Sequence, residues 1–138
     1  RVDAVREGEI RVVDYKTGKV LDDDEKITDD NAEAIADKIF AEDIKERPKI
    51  ALQFFIYDLL VQDHPLAKGR QIYNCVYSTA RLFKEPPLNV PRNEKFFEAV
   101  SHRLCETLQE MYSLDVPFRR TKDEKVCEYC DFKMICGR

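Results

Sequence analysis

Two short segments near the start of the chain carry side chains that together suit phosphodiester hydrolysis. Asp3 lies in an apolar, β-branched segment over residues 1–5; Asp14 lies in a second over residues 9–15, with Lys16 directly after it. Side chains at i and i+2 of a strand share a face, so Asp14 and Lys16 point to one spot. A hairpin of the two segments would bring Asp3 beside Asp14 near its open end. Two carboxylates and a lysine so placed would bind Mg²⁺ or Mn²⁺, with a proton-handling group nearby. The bland alternative is a hairpin whose aspartates and lysine only face solvent.

The elements that must position these residues follow from the hydrophobic periodicity. Residues 49–61 are apolar on nearly every side, which predicts a buried helix. Pro86, Pro87 and Pro91 indicate an extended connection. The order strand–strand–helix–helix–strand–helix predicts an α/β fold, a small mixed β-sheet flanked by helices. Strands are predicted at about 1–5, 9–15 and 71–78, and helices from a cap at 28–31 to about 45, at 49–61 and at 93–112.

Composition sets the limits within which these motifs act. With 138 residues and 43% apolar side chains, the chain suffices for one domain with a single core. It has no run of the ~18 apolar residues that a membrane-spanning helix needs, so no membrane partner is expected.

Clustered cysteines in place of a disulfide framework favour a reducing cytoplasm, of the bacterial type. The net charge of −4 owes much to an acidic run over residues 22–30, which we interpret as a solvated loop and helix start. Because the chain opens inside a predicted strand without Met, we expect an N-terminally truncated fragment of a longer protein.

Three motifs in order resemble a known nuclease family. Asp3 followed by Asp14-x-Lys16 in the setting VVDYKTGK resembles the PD-(D/E)XK nuclease superfamily, in its RecB-like branch, and Gln53 with Tyr57 resembles the Gln-x-x-x-Tyr motif of that branch. The resemblance implies a restriction-endonuclease-like fold over residues 1–138. It also implies that Asp3, Asp14 and the backbone carbonyl of Tyr15 bind Mg²⁺ or Mn²⁺, and that a further acidic or histidine ligand lies upstream. Catalytic roles would belong to Asp3, Asp14, Lys16 and Gln53.

Gln53 and Tyr57 share one face of the predicted second helix, since they stand four residues apart. Burying the Gln53 amide without a partner would cost a few kcal/mol, so it must hydrogen-bond either to backbone or to a site. By resemblance, Gln53 lines the active centre, and Tyr57 contacts DNA or supports the catalytic strand. The alternative is a satisfied amide and a core tyrosine.

The cysteines divide into a clustered set and two isolated ones. Cys127, Cys130 and Cys136 have a spacing that lets thiolates reach one metal, and they form a cysteine-rich tail over residues 119–138. They resemble the clustered cysteines of the iron–sulfur nucleases, whose fourth ligand lies upstream and so outside this fragment. A [4Fe–4S] cluster in the intact protein is the favoured interpretation, with Zn²⁺ as the alternative. Cys75 and Cys105 are predicted to be core residues.

The resulting hypothesis is a metal-dependent deoxyribonuclease, an exonuclease of DNA recombination and repair that works with a helicase subunit or domain. DNA is the expected partner. A fragment without its upstream ligands could be inactive alone. The alternative is a non-catalytic DNA-binding or scaffold module that keeps the nuclease fold, and a standalone zinc-ribbon protein is a weaker one because it leaves the hairpin motif unexplained.

Overall fold

The computed structural model describes residues 1–18, 26–41, 47–80 and 87–137. It contains a four-stranded mixed sheet and three α-helices, in agreement with the predicted fold class. No helix in these ranges is long and apolar enough to cross a membrane. In chain order the elements are β1 (Val2–Arg6), β2 (Glu9–Lys16), α1 (Ala32–Phe40), α2 (Lys49–Val61), β3 (Gln71–Ser78), β4 (Asn89–Pro91), α3 (Glu94–Tyr112) and a 3-10 helix (Glu124–Cys127).

The sheet has the strand order β1-β2-β3-β4. The first two strands form an antiparallel hairpin whose turn needs Gly8, which has a φ of 78°, in the left-handed region that glycine adopts at little cost. Strands β2 and β3 are parallel and in unbroken register over residues 9–16 and 71–78. A parallel pair cannot be joined by a tight turn, and the chain between these two strands contains α1 and α2.

Helix α2 is the central layer of the molecule. On one side, Phe54 and Ile50 pack against Val76 of β3. On the other side, Ala51 and Phe55 join a cluster formed with α1 and α3. Both flanks of α2 are therefore apolar, and its exposed side also carries the apolar residues Ile56, Leu59 and Leu60, so its sequence shows little amphipathic pattern. The α1–α2–α3 cluster consists of Ala32, Ala36, Ile39, Ala51, Phe55, Phe96, Ala99 and Val100.

Three predictions about elements need correction. Helix α1 was expected to reach about residue 45, but it ends at Phe40, because Ala41 is extended with ψ at 154°. The segment around Pro91 is a short edge strand and not a mere connection, since Val90 pairs with Asn74. Cys105 is exposed on α3, whereas Cys75 is buried as predicted. Residues 22–25 of the acidic run, and Pro86, lie outside the described residues.

Candidate active site at the carboxyl end of strand β2

Asp14 and Lys16 lie on one face of β2, close to its carboxyl end. The Lys16 Nζ atom is 2.8 Å from Asp14 Oδ2, so the two side chains form an ion pair. Asp14 Oδ2 is buried, and this contact does not have the geometry of a hydrogen bond. Their direct neighbours in the parallel register are Val76 and Ser78 of β3. Ligands of open α/β sheets bind outside the carboxyl ends of parallel strands, where side chains of adjacent strands converge. The pair predicted from the two-residue period therefore stands at a suitable place for chemistry.

Tyr57 reaches this pair from α2. Burial raises the pKa of the Tyr57 phenol, and the charge of the Asp14 carboxylate and a hydrogen bond to it raise the pKa further. A raised pKa keeps the phenol protonated at neutral pH, so the Tyr57 hydroxyl is available as a hydrogen-bond donor close to the Asp14 carboxylate. Helix α2 contacts the site strand β2 through the Tyr57 ring, which packs against the cluster that contains Ile10 and Val12.

Gln53 precedes Tyr57 by one helical turn on the same face of α2. Its Oε1 atom is buried and has no hydrogen-bond partner within the described part of the chain. An unsatisfied buried acceptor costs about 1–3 kcal/mol. The sequence predicted that this amide needs a partner, and the described protein atoms supply none to its oxygen. This oxygen can accept from a donor or bind a cation, and within the described ranges no protein atom takes that position.

Asp3 does not lie beside Asp14, and this expectation was wrong. The register pairs Asp3 with Arg11, and residues directly opposite in a ladder share a face. Arg11 and Asp14 are three residues apart in β2, so their side chains point to opposite faces of the sheet. Asp3 instead accepts from Arg1 Nε at 2.6 Å and lies 3.5 Å from Arg11 Nη2. The hydrogen bond from Arg1 is the largest cause of the lowered pKa of Asp3.

Tyr15 follows Asp14 but directs its side chain to the face that carries Asp3. The ring is 59% exposed and stands 5.8 Å from the ring of Tyr77, and its hydroxyl accepts from Arg1 Nη1 at 3.4 Å. The side chain is therefore excluded from the Asp14 site. The role of its backbone carbonyl as a metal ligand stays a prediction.

The three clustered cysteines lie in a tail of turns around the 3-10 helix. Cys127, Cys130 and Cys136 are half-buried, and no disulfide joins the cysteines of the described residues. The tail closes on itself, because Arg120 Nη1 donates to the Cys136 carbonyl at 2.7 Å. Over the described ranges, no three His, Cys, Asp or Glu side chains form a group that could hold a metal ion. The iron–sulfur interpretation therefore stays a prediction for the intact protein.

Sequence reasoning missed a buried polar pair between α2 and β3. Asp58 and Asn74 are 2% and 1% exposed, and Asn74 Nδ2 donates to Asp58 Oδ1 at 2.8 Å. Burial, against the opposing hydrogen bond, raises the pKa of Asp58 to about 6. A signal was present, because each residue interrupts an apolar segment, Asp58 directly after Tyr57 and Asn74 in the middle of β3.

A comparison with known families agrees with the geometry of the site. A family model described as the PD-(D/E)XK nuclease superfamily matches residues 1–137, nearly the whole chain. The chain belongs to the PD-(D/E)XK nuclease superfamily. No curated protein and no solved structure matches the chain. Membership in the PD-(D/E)XK nuclease superfamily indicates nuclease activity with DNA as substrate, and nucleases of this superfamily generally use divalent metals.

Two oxygen atoms of the predicted site residues suit such a metal. Mg²⁺ prefers oxygen ligands and takes one or two carboxylates, with water and substrate phosphate in the remaining positions. Asp14 offers a carboxylate without a hydrogen bond to Oδ2, and Gln53 offers an unpartnered amide oxygen. Both are hard oxygen ligands, which suit Mg²⁺ or Mn²⁺, whereas thiolates would favour softer metals.

Proposed function

We propose that this protein is a metal-dependent DNA nuclease whose active centre is formed by Asp14, Lys16, Gln53 and Tyr57. The observation that carries the proposal is the Asp14–Lys16 pair at 2.8 Å, at the carboxyl end of two parallel strands in a chain of the PD-(D/E)XK superfamily. The residues that hydrolysis requires are a carboxylate for the metal and a cation for the phosphate. Both stand on the same face of β2.

Each side chain has a distinct task in this proposal. Asp14 and Gln53 would hold the cation through their oxygens. A divalent cation bound there neutralises charge on the phosphate and favours a nucleophilic water. Lys16 stabilises the developing negative charge on the phosphate oxygens through its ammonium group. Tyr57 orients the Asp14 carboxylate by donating a hydrogen bond to it.

The finer parts of the proposal concern the biological setting. Gln53 and Tyr57 on one face of α2 support membership in the RecB-like branch, whose motif they resemble. We propose exonuclease action in recombination and repair, alongside a helicase subunit or domain. Cys127, Cys130 and Cys136 would hold a [4Fe–4S] cluster, with a fourth ligand from elsewhere in the intact protein. A structural role of the cluster agrees with the sparse packing of the tail.

One observation favours a second candidate, a non-catalytic DNA-binding or scaffold module. Across the described residues, no group of three potential metal ligands comes together, and Asp14 is already ion-paired with Lys16. A chain that uses this pair only as a salt bridge would bind DNA in the presence of EDTA and never cut it. Binding that survives chelation, without cleavage in Mn²⁺, distinguishes the module from the nuclease.

The direct test is cleavage of end-labelled linear single-stranded DNA with Mn²⁺ or Mg²⁺. We expect metal-dependent cutting by the wild type and a loss of about 10²-fold or more in Asp14→Asn, because this change removes the charged ligand while keeping the side-chain shape. Asp3→Asn is the matched control. It removes an aspartate of the same hairpin from the opposite face, so cutting should stay within about twofold of wild type.

Two results would contradict the proposal. Equal cutting by wild type and Asp14→Asn would place the activity elsewhere. A loss in Asp3→Asn as large as that in Asp14→Asn would show that the two aspartates act together, against the observed strand register.

A further inference from the structure

Three successive hydrogen bonds join the end of the site strand β2 and the two residues after it to Ser78, the last residue of β3, and to Thr79. The Thr79 backbone N–H donates to the Lys16 carbonyl at 2.9 Å. The Thr79 hydroxyl donates to the Thr17 carbonyl, and the Ser78 hydroxyl to the Gly18 carbonyl, both at 3.3 Å. Ser78 and Thr79 thus donate hydrogen bonds to three successive carbonyls, those of residues 16–18.

Ser78 also borders the site itself. It is the direct partner of Lys16 in the parallel register, on the face that carries Asp14, and it is 6% exposed. A buried hydroxyl requires an acceptor, and the Gly18 carbonyl supplies it. Strand ends open more readily than strand interiors, and Lys16 is the last residue of β2. The side chains of Ser78 and Thr79 therefore continue the hydrogen bonding between β2 and β3 beyond Lys16. Without these two side chains, Lys16 would be the free end of the paired strands.

We propose that Ser78 and Thr79 are positioning residues that hold Lys16 against Asp14. This inference rests on the proposed function, in which the Lys16 ammonium acts on the reacting phosphate. The lysine stem is flexible, so the place of its ammonium depends on the backbone from which it extends. Misplacing a reacting group by about 1 Å lowers the rate by up to ~10²-fold, so fraying at the end of β2 would slow catalysis. Neither residue belongs to the motifs that identify the family in this chain.

The test compares variants that remove the hydroxyls but keep the backbone bond. Ser78→Ala, Thr79→Val and the double variant remove the bonds to Gly18 and Thr17. Thr79→Ser keeps its hydroxyl and serves as the conservative variant. Thr107→Val is the matched control, because Thr107 donates to the Arg103 carbonyl at 2.8 Å on α3, away from the site.

We expect the double variant to lose about tenfold in kcat, with KM within about twofold, because DNA contacts are retained while Lys16 is displaced. Thr79→Ser and Thr107→Val should keep wild-type kcat. Amide hydrogen exchange at residues 16–18 should accelerate in the double variant and stay unchanged in Thr107→Val. Unchanged exchange in the double variant would overturn the inference, as would faster exchange with an unaltered kcat.

The order of the Lys16 side chain, measured by NMR relaxation, separates this inference from the proposed function. If the wild type never cuts DNA, the nuclease proposal fails, and the positioning role is then judged on that order alone. A more mobile Lys16 side chain in the double variant would support it. Equal mobility in wild type and double variant would refute it.

Discussion

Asp58 shows how a single buried carboxylate shapes the behaviour of this protein. It is 2% exposed, and its Oδ1 atom accepts from Asn74 Nδ2. Burial raises its pKa to about 6, more strongly than the Asn74 hydrogen bond and the Arg92 charge lower it. The unfolded chain would release this proton near pH 3.9. The folded chain therefore binds the proton more tightly than the unfolded chain over the interval between these two values.

This difference predicts the sign of a pH dependence. Because the folded state holds more protons than the unfolded state between about pH 4 and about pH 6, the Asp58 contribution to the free energy of unfolding falls as the pH rises through that window. Asp58→Asn removes the titration and keeps an acceptor for Asn74. Its new amide can also donate to Asn74 Oδ1, which has no partner within the described ranges.

Urea unfolding of wild type and Asp58→Asn at pH 5 and pH 8 measures this effect. We expect the variant to be more stable than wild type at pH 8, by an amount on the order of 2 kcal/mol, and the difference to shrink at pH 5. If the unfolding free energies of the two proteins change with pH in parallel, ionisation of the buried Asp58 carboxylate does not destabilise the fold.

At the scale of elements, α2 combines a structural and a functional role. Its inner side chains fill the core between the sheet and the other two helices, and its Tyr57 packs against the cluster that contains Ile10 and Val12 of β2. The helix was predicted to be buried because it is apolar on nearly every side. In the structure, however, Ile56, Leu59 and Leu60 are exposed, by 41%, 41% and 72%. Burial of this helix is therefore restricted to the faces that contact the sheet, α1 and α3.

This asymmetry predicts that replacing one apolar side chain of the helix greatly lowers the free energy of unfolding, whereas replacing another leaves it almost unchanged. Phe54 is 2% exposed and lies between α2 and the sheet, so Phe54→Ala should cost about 3–5 kcal/mol of unfolding free energy. Leu60→Gln should change it by less than about 0.5 kcal/mol. Urea denaturation of both variants provides the measurement. A large cost for Leu60→Gln would mean that the outer face is covered in solution, for example by self-association.

At the scale of the whole molecule, the carboxyl-terminal tail stands apart from the three-layered body. The 3-10 helix makes no extensive packing contact with the other described helices and strands. Several large apolar side chains of the tail face solvent, with Tyr129, Met134 and Ile135 exposed by 89%, 80% and 85%. The bond between Arg120 and the Cys136 carbonyl joins the tail to itself and not to the sheet.

Removal of residues 122–138 should therefore leave the body folded. We expect the shortened chain to unfold cooperatively in urea with a free energy within about 1 kcal/mol of the full chain, because little core surface is lost. Circular dichroism during the urea titration measures both the cooperativity and the free energy of unfolding. Loss of cooperativity, or a drop of several kcal/mol, would show that the tail packs on the body in solution.

Local patterns in the sequence determined most of the secondary structure and one half of the site. The helix at 49–61 and the strand at 71–78 have the predicted bounds, because hydrophobic periodicity and glycine or proline boundaries act over a few residues. The common face of Asp14 and Lys16 follows from the same short-range geometry, since alternation along a strand needs no knowledge of its neighbours. The family also followed from short motifs read in order.

Only the tertiary structure decided which partners these residues meet. The face occupied by Asp3 depends on the register between two strands, which the turn and the irregularity between Ala4 and Arg6 set, and a shift of one residue moves a side chain to the other face. The short strand β4 exists because β3 pairs with it across a long connection. The proximity of Tyr57 to Asp14 and the burial of Asp58 arise where α2 packs on the sheet. Such contacts join residues far apart in the chain, so no local pattern contains them.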